Sequence, residues 1–156
     1  MDVFSTKDAL TLSVASVGAV LGVINTWKAL DKDRPKMKIT PKQALIVGPF
    51  ANNNQRPSLC IEVLNLSTFA LTITEVGVLF RDSDHRGVIL QPTLNDGSSL
   101  PVVLEPRRAL SAYADPSALD RDPHRIQCVY AKTDCGLTFK GKSGALEQLL
   151  FEAMSK

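Results

Sequence analysis

A chain of 156 residues has room for one ordinary domain and a short appendage, not for two full domains. Its 18 basic and 16 acidic residues leave a formal charge of +2, which excludes the chain-wide basic footprint of a nucleic-acid-binding domain, so any basic patch is local and no nucleic-acid partner is expected. The three cysteines, Cys60, Cys128 and Cys135, cannot all pair within one chain and fit neither a zinc ribbon nor a C-x-x-C redox motif, so they are expected as free thiols in a reducing compartment.

Residues 1–30 read as a hydrophobic helix. Ala9 to Trp27 contains no charged residue, and its 19 positions, at about 1.5 Å each, span ~28 Å, the thickness of a bilayer core. Thr11, Ser13, Ser16, Asn25 and Thr26 dilute the run, but no stripe of Lys, Glu or Arg gives it the wet face of a surface helix. A secretory signal would want more than Lys7 ahead of it and a small-residue cleavage site behind. The reading is a single transmembrane anchor over residues 9–27; a core or oligomerisation helix and a cleaved signal are the alternatives. Lys28, Lys32, Arg34, Lys36, Lys38 and Lys42 follow the run, residues 31–36 forming a basic linker, whereas Lys7 stands alone before it. That asymmetry predicts a single-pass protein with its folded domain in the cytoplasm and Trp27 at the interface. Ala15 with Ala19 and Gly18 with Gly22 recur at four-residue spacing, the small face through which membrane helices approach, so a homo-oligomer is an expectation.

From Met37 the pattern changes to short strand-like segments, and residues 37–142 are expected to form one β domain. Lys38–Val47 is the first, its Pro41 marking an edge strand or a break. Leu59, Ile61 and Val63 alternate with Cys60 and Glu62, the signature of a half-buried strand. In Phe69–Arg81 the inward series Phe69, Leu71, Ile73 gives way to Val76, Val78, Phe80, so the parity slips near Thr74 and Glu75 and predicts a bulge. Val88–Leu90, Ser99–Leu104, Ala109–Ala114, Arg125–Ala131 and Leu137–Lys140 follow, separated by D-S-D-H-R-G, N-D-G, E-P-R-R and an Asp/Pro-rich stretch. Short strands at this spacing predict a mainly β protein, an immunoglobulin-like or jelly-roll-like sandwich. Residues 143–156 read as a short amphipathic helix capped by Ser143, with Leu146, Leu149, Leu150 and Ala153 on one face and Glu147 and Glu152 pointing away.

Gly136 to Ser143, G-L-T-F-K-G-K-S, satisfies the phosphate-loop pattern G-x-x-x-x-G-K-[ST], which makes a nucleotide-binding protein one alternative and Gly136, Gly141, Lys142 and Ser143 its candidate residues. Against it, Leu-Thr-Phe-Lys alternates like a strand, and too little chain follows Ser143 to complete a parallel sheet. The expected structure is instead a hairpin turn at Gly136 and a strand exit at Gly141-Lys142. His85 and His124 lie in turn-rich segments beside Asp84 and Asp122 and read as surface groups, and the acidic residues lack the spacing of a calcium loop. No catalytic constellation, cofactor or metal site is expected, and the protein is not expected to be an enzyme. The stretch Leu59 to Val78 resembles small bacterial proteins that carry one N-terminal membrane helix and an immunoglobulin-like sandwich; the resemblance covers Arg34 to Lys140 and implies no substrate. The expected function is that of a binding or scaffold module for an unidentified protein partner, with loop residues Asn53, Arg56, His85, Arg86, Arg121 and His124 as its contact surface. The other alternative is a subunit of a larger viral or envelope assembly whose helix packs against protein.

Overall fold

The computed structural model describes residues 6–45, 57–81, 83–114 and 123–155. Contacts divide the chain at Arg34 and Pro35 into a helical unit and a folded unit. The first is one helix, α1 (Thr6–Lys32). The second begins with β1 (Met37–Ala44), β2 (Ser58–Asn65), β3 (Leu71–Phe80), β4 (Arg86–Val88) and β5 (Thr93–Leu94). It continues with β6 (Val102–Leu104), β7 (Ala109–Tyr113), β8 (Ile126–Thr133) and β9 (Thr138–Gly141) and ends in α2 (Gly144–Met154).

The strands form two antiparallel sheets, one in the order β1-β2-β7-β5 and the other β4-β3-β8-β9. Lettered as an immunoglobulin domain, these are A-B-E-D and C′-C-F-G, so the topology selects the immunoglobulin-like alternative over the jelly roll. β6 is an addition: it pairs with Leu71–Ile73 of β3, on the edge where β4 pairs with Gly77–Leu79. Ile39, Ile61, Val63, Ile73, Val76, Val129 and Leu110 fill the space between the sheets. Cys60 and Cys128 stand on strands B and F, which antibody domains bridge, yet both lie outside that core and are free. Their neighbours Ile61 and Val129 take the inward places, because a strand turns successive side chains to opposite faces.

The expected bulge is present. The β3/β8 register shifts between Ile73 and Glu75, leaving Thr74 over, and the inward series changes from Leu71 and Ile73 to Val76 and Val78 across it. Pro41 does lie on an edge strand. That edge is closed: the Ser143 hydroxyl donates to the Pro41 carbonyl at 2.6 Å, and α2 and β9 both pack against β1. A Cβ on Gly141 would sit 2.2 Å from the Ile39 carbonyl oxygen, so only glycine permits β9 to approach β1 this closely.

Some boundaries differ from the sequence reading. β3 starts at Leu71, leaving Phe69 in the preceding loop and 36% exposed, because Asn65 holds that loop in place. Asn65 is fully buried: its Nδ2 donates to the carbonyls of Phe69 at 2.8 Å and Leu104 at 2.9 Å, and its Oδ1 accepts from the Ser67 amide at 2.9 Å. Leu104 belongs to the second sheet and Asn65 to the first, so one side chain ties the sheets together at this end. Glu152 does not point away from the domain as expected; it is partly buried and accepts from Gln148 Nε2 at 3.2 Å. Leu146, Leu149 and Leu150 are buried as expected, each worth roughly 2 kcal/mol in area removed from water.

Candidate functional site

Every described side chain of α1 from Leu10 to Lys32 is exposed within its own unit, Leu10 at 69% and Trp27 at 73% among them. Leu10–Lys32 is long and apolar enough to cross a membrane. Its polar residues are compatible with that environment: the hydroxyl of Ser13 donates to the Leu10 carbonyl at 2.8 Å, Ser16 to Leu12 at 2.8 Å and Thr26 to Gly22 at 2.9 Å. These three hydroxyls, folded back on their own helix, bring no unsatisfied donor to lipid. Ala15, Gly18, Ala19 and Gly22 lie along one side of the helix, and nothing approaches within 4 Å of where a Cβ on either glycine would stand.

The folded unit has two ends. At the leading end, where Pro35 runs into β1, lie the loops 66–70, 105–108 and 134–137. The Lys36 carbonyl accepts from the Leu66 amide at 2.8 Å, the Ser67 hydroxyl accepts from the Lys36 amide at 2.7 Å, and the Asn65 carbonyl accepts from the Arg107 amide at 3.0 Å. At the far end are the termini of β1, β3 and β7 and the starts of β2, β4 and β8, shown by the pairs Ala44 with Ser58, Leu79 with Arg86, and Phe80 with Ile126. Of the residues expected to meet a partner, His85, Arg86 and His124 are described, and they lie at this far end. His85 is exposed there and shares a 2.5 Å hydrogen bond with the Ser83 hydroxyl; His124 is exposed in a 3₁₀ turn, Pro123–Arg125, whose Arg125 carbonyl accepts from the Arg81 amide at 2.6 Å. Asn53, Arg56 and Arg121 lie outside the described residues.

One cluster was not anticipated. Tyr130 is completely buried on the outer face of the second sheet, its ring lying against Gly77, and its hydroxyl donates to Oε1 of Glu75. The same oxygen pairs with Arg86 Nε at 3.1 Å. Burial, and then the Glu75 hydrogen bond, push the phenol well above its ordinary range, so it stays a donor at physiological pH. Phenol, carboxylate and guanidinium therefore satisfy one another. The signal was the outward parity that Tyr130 shares with Glu75 across the strand pair just past the bulge, which only the β3/β8 register makes visible. On the opposite sheet Lys42 Nζ and Glu62 Oε2 pair at 2.7 Å, and burial pushes the neighbouring Cys60 thiol up, as it does Cys128. Both thiols are thereby held in their unreactive form.

The phosphate-loop letters take the expected strand and turn geometry. Gly136 adopts φ +83° in the β8/β9 turn, Thr138–Gly141 is β9 in register with Val129–Lys132, and Ser143 caps α2, accepting from the Leu146 amide at 3.3 Å. A strand cannot converge its amides on a phosphate, and Lys142 is exposed. Among the described residues no three His, Cys, Asp or Glu side chains gather where they could hold a metal ion. No known family matches the sequence, and no curated protein is similar to it. The chain is thus one apolar N-terminal helix joined to a mainly β sandwich whose topology is immunoglobulin-like.

Proposed function

We propose that this protein is a non-enzymatic binding or scaffold module, held at the inner face of a membrane by α1 and presenting the far end of its sandwich to a protein partner. The observation that carries the reading is the apolar helix Leu10–Lys32, exposed throughout, with the Ser13, Ser16 and Thr26 hydroxyls bonded to its own carbonyls. A surface of this size and polarity belongs in lipid. The basic residues that follow the span favour the cytoplasmic side for the domain, and Ala15, Gly18, Ala19 and Gly22 give α1 a face for pairing with a second copy. Far-end loops on a rigid sandwich suit recognition; His85 and His124 are the described candidates on them, and Arg86, expected in a loop, instead begins β4 beside them. The bacterial proteins resembled by Leu59–Val78 share this plan, which makes a bacterial inner membrane the setting we assign.

The test is alkaline carbonate extraction of the full chain from bacterial membranes, combined with protease treatment of intact spheroplasts. Retention in the pellet with a protected C-terminal domain is expected. Release into the supernatant overturns the anchor in favour of an assembly subunit whose helix packs on protein, and retention with a digested domain reverses the orientation.

A further inference from the structure

The turn at the leading end contains a strained residue. Glu105–Arg108 closes with the Arg108 amide donating to the Glu105 carbonyl at 3.1 Å, Pro106 in its second position and Arg107 at φ 61° in the third. That position of a type II turn favours glycine, and a larger side chain there is strained. Arg107 is kept there by its own amide, bonded to the Asn65 carbonyl at 3.0 Å, and both Arg107 and Arg108 are exposed. At the same end two apolar side chains are presented by backbones that are themselves fixed. Phe69, 36% exposed, has its carbonyl held by Asn65; Leu137, 43% exposed, has its carbonyl held by the Thr133 amide at 3.0 Å. Cations and apolar groups interspersed on one surface are the composition that binds the headgroup region of an anionic bilayer.

Chain length supplies the independent argument. Only residues 33–36 separate the end of α1 at Lys32 from the start of β1 at Met37, and four residues reach at most ~14 Å. Lys36 at the end of that tether is pinned to the leading end on both its amide and its carbonyl. We propose that the leading end of the sandwich docks on the anionic lipid headgroups of the leaflet into which α1 emerges, through Arg107, Arg108, Phe69 and Leu137. The proposal rests on the anchor reading above. Lys36, Lys38, Arg107 and Arg108 outnumber Glu105 and Asp134 at this end by two charges. The tether keeps the start of β1 within ~14 Å of the end of α1, about one to two Debye lengths, so the headgroups are within its reach.

The experiment uses the full chain in bilayer discs of phosphatidylcholine, with or without phosphatidylglycerol. A polarity-sensitive fluorophore goes on Cys135, which is exposed in the leading-end hairpin while Cys60 and Cys128 are buried. A comparison probe goes on α2, which packs against the far-end 3₁₀ turn Pro123–Arg125, through Glu147→Cys in a Cys135→Ser background. Quenching by headgroup spin labels is expected to be strong at position 135 and weak at position 147, and only with phosphatidylglycerol present. Each arginine is expected to shift the docking equilibrium constant about fivefold at low salt, so Arg107→Gly with Arg108→Gln lowers it roughly 25-fold, while Arg107→Lys retains it. Glycine suits the turn, so the double variant folds, which circular dichroism verifies. Equal quenching at the two positions, indifference to phosphatidylglycerol, or an unchanged double variant overturns the docking. Loss of the protein from the discs at alkaline pH is a separate readout, and it overturns the anchor and the docking together.

Discussion

Asn65→Ala removes the side chain that spans the two sheets. The substitution strands three backbone groups, the Leu104 and Phe69 carbonyls and the Ser67 amide, of which Ser67 and Leu104 belong to buried residues. A buried group left without its partner costs about 1–3 kcal/mol, and two of the three are deep enough to incur it, so the expected loss is roughly 3–5 kcal/mol. That is a large share of a stability of ~5–15 kcal/mol. The expected result is a fall in the urea midpoint of the full chain in detergent, followed by circular dichroism in the strand region. Fluorescence is unsuitable, because the single tryptophan, Trp27, lies in α1. Asn95→Ala serves as the control: its Oδ1 accepts from the Ser111 amide at 3.0 Å at an exposed position, and water replaces it at a cost of about 1 kcal/mol or less. Equal losses for the two variants would refute the claim that Asn65 couples the sheets.

Tyr130→Phe is expected to cost about 1.5–3 kcal/mol at neutral pH, the worth of a hydrogen bond to a charged group. Folding raises the phenol's pKa above its unfolded value, so that stabilisation is whole below about pH 10 and is lost as pH rises beyond it toward the folded value. The gap in urea midpoint between wild type and Tyr130→Phe should therefore narrow above that pH; a constant gap would count against a buried protonated phenol. Gly141→Ala forces β9 off β1 and is expected to lower the melting temperature by several degrees, roughly 2 kcal/mol or more, with an unchanged midpoint refuting the close approach. Ser143→Ala removes both the cap of α2 and the bond to Pro41 and is expected to cost about 1–2 kcal/mol, whereas Ser143→Thr restores most of it in the same melt.

The elements legible in the sequence were those whose side chains report their own surroundings. The change of parity around Thr74 located the bulge, Pro41 located the edge strand, and Leu146, Leu149 and Leu150 located the buried face of α2. β5 was missed because a pair of ladder residues, Thr93 and Leu94, carries no periodicity. The Tyr130, Glu75 and Arg86 cluster was missed because its members come from three strands and meet only once the register is fixed. Asn65 was missed for a related reason: its partners Phe69 and Leu104 are backbone groups, which leave no trace in side-chain pattern. His85 and His124 were legible as turn residues, but their placement at one end of the sandwich is a property of strand order.

The sealing of β1 has a bearing on crowding. Proteins confined to a two-dimensional sheet of lipid meet one another far more often than in solution, and a bare strand edge would then template chain-to-chain pairing. Here the longest edge is shut by a hydroxyl on the Pro41 carbonyl and by a glycine that lets β9 close against it. The remaining outer strands β4, β5 and β6 offer two or three residues each, too short a ladder to recruit another chain. Such a domain can be packed densely on a surface without fusing its sheets to those of its neighbours.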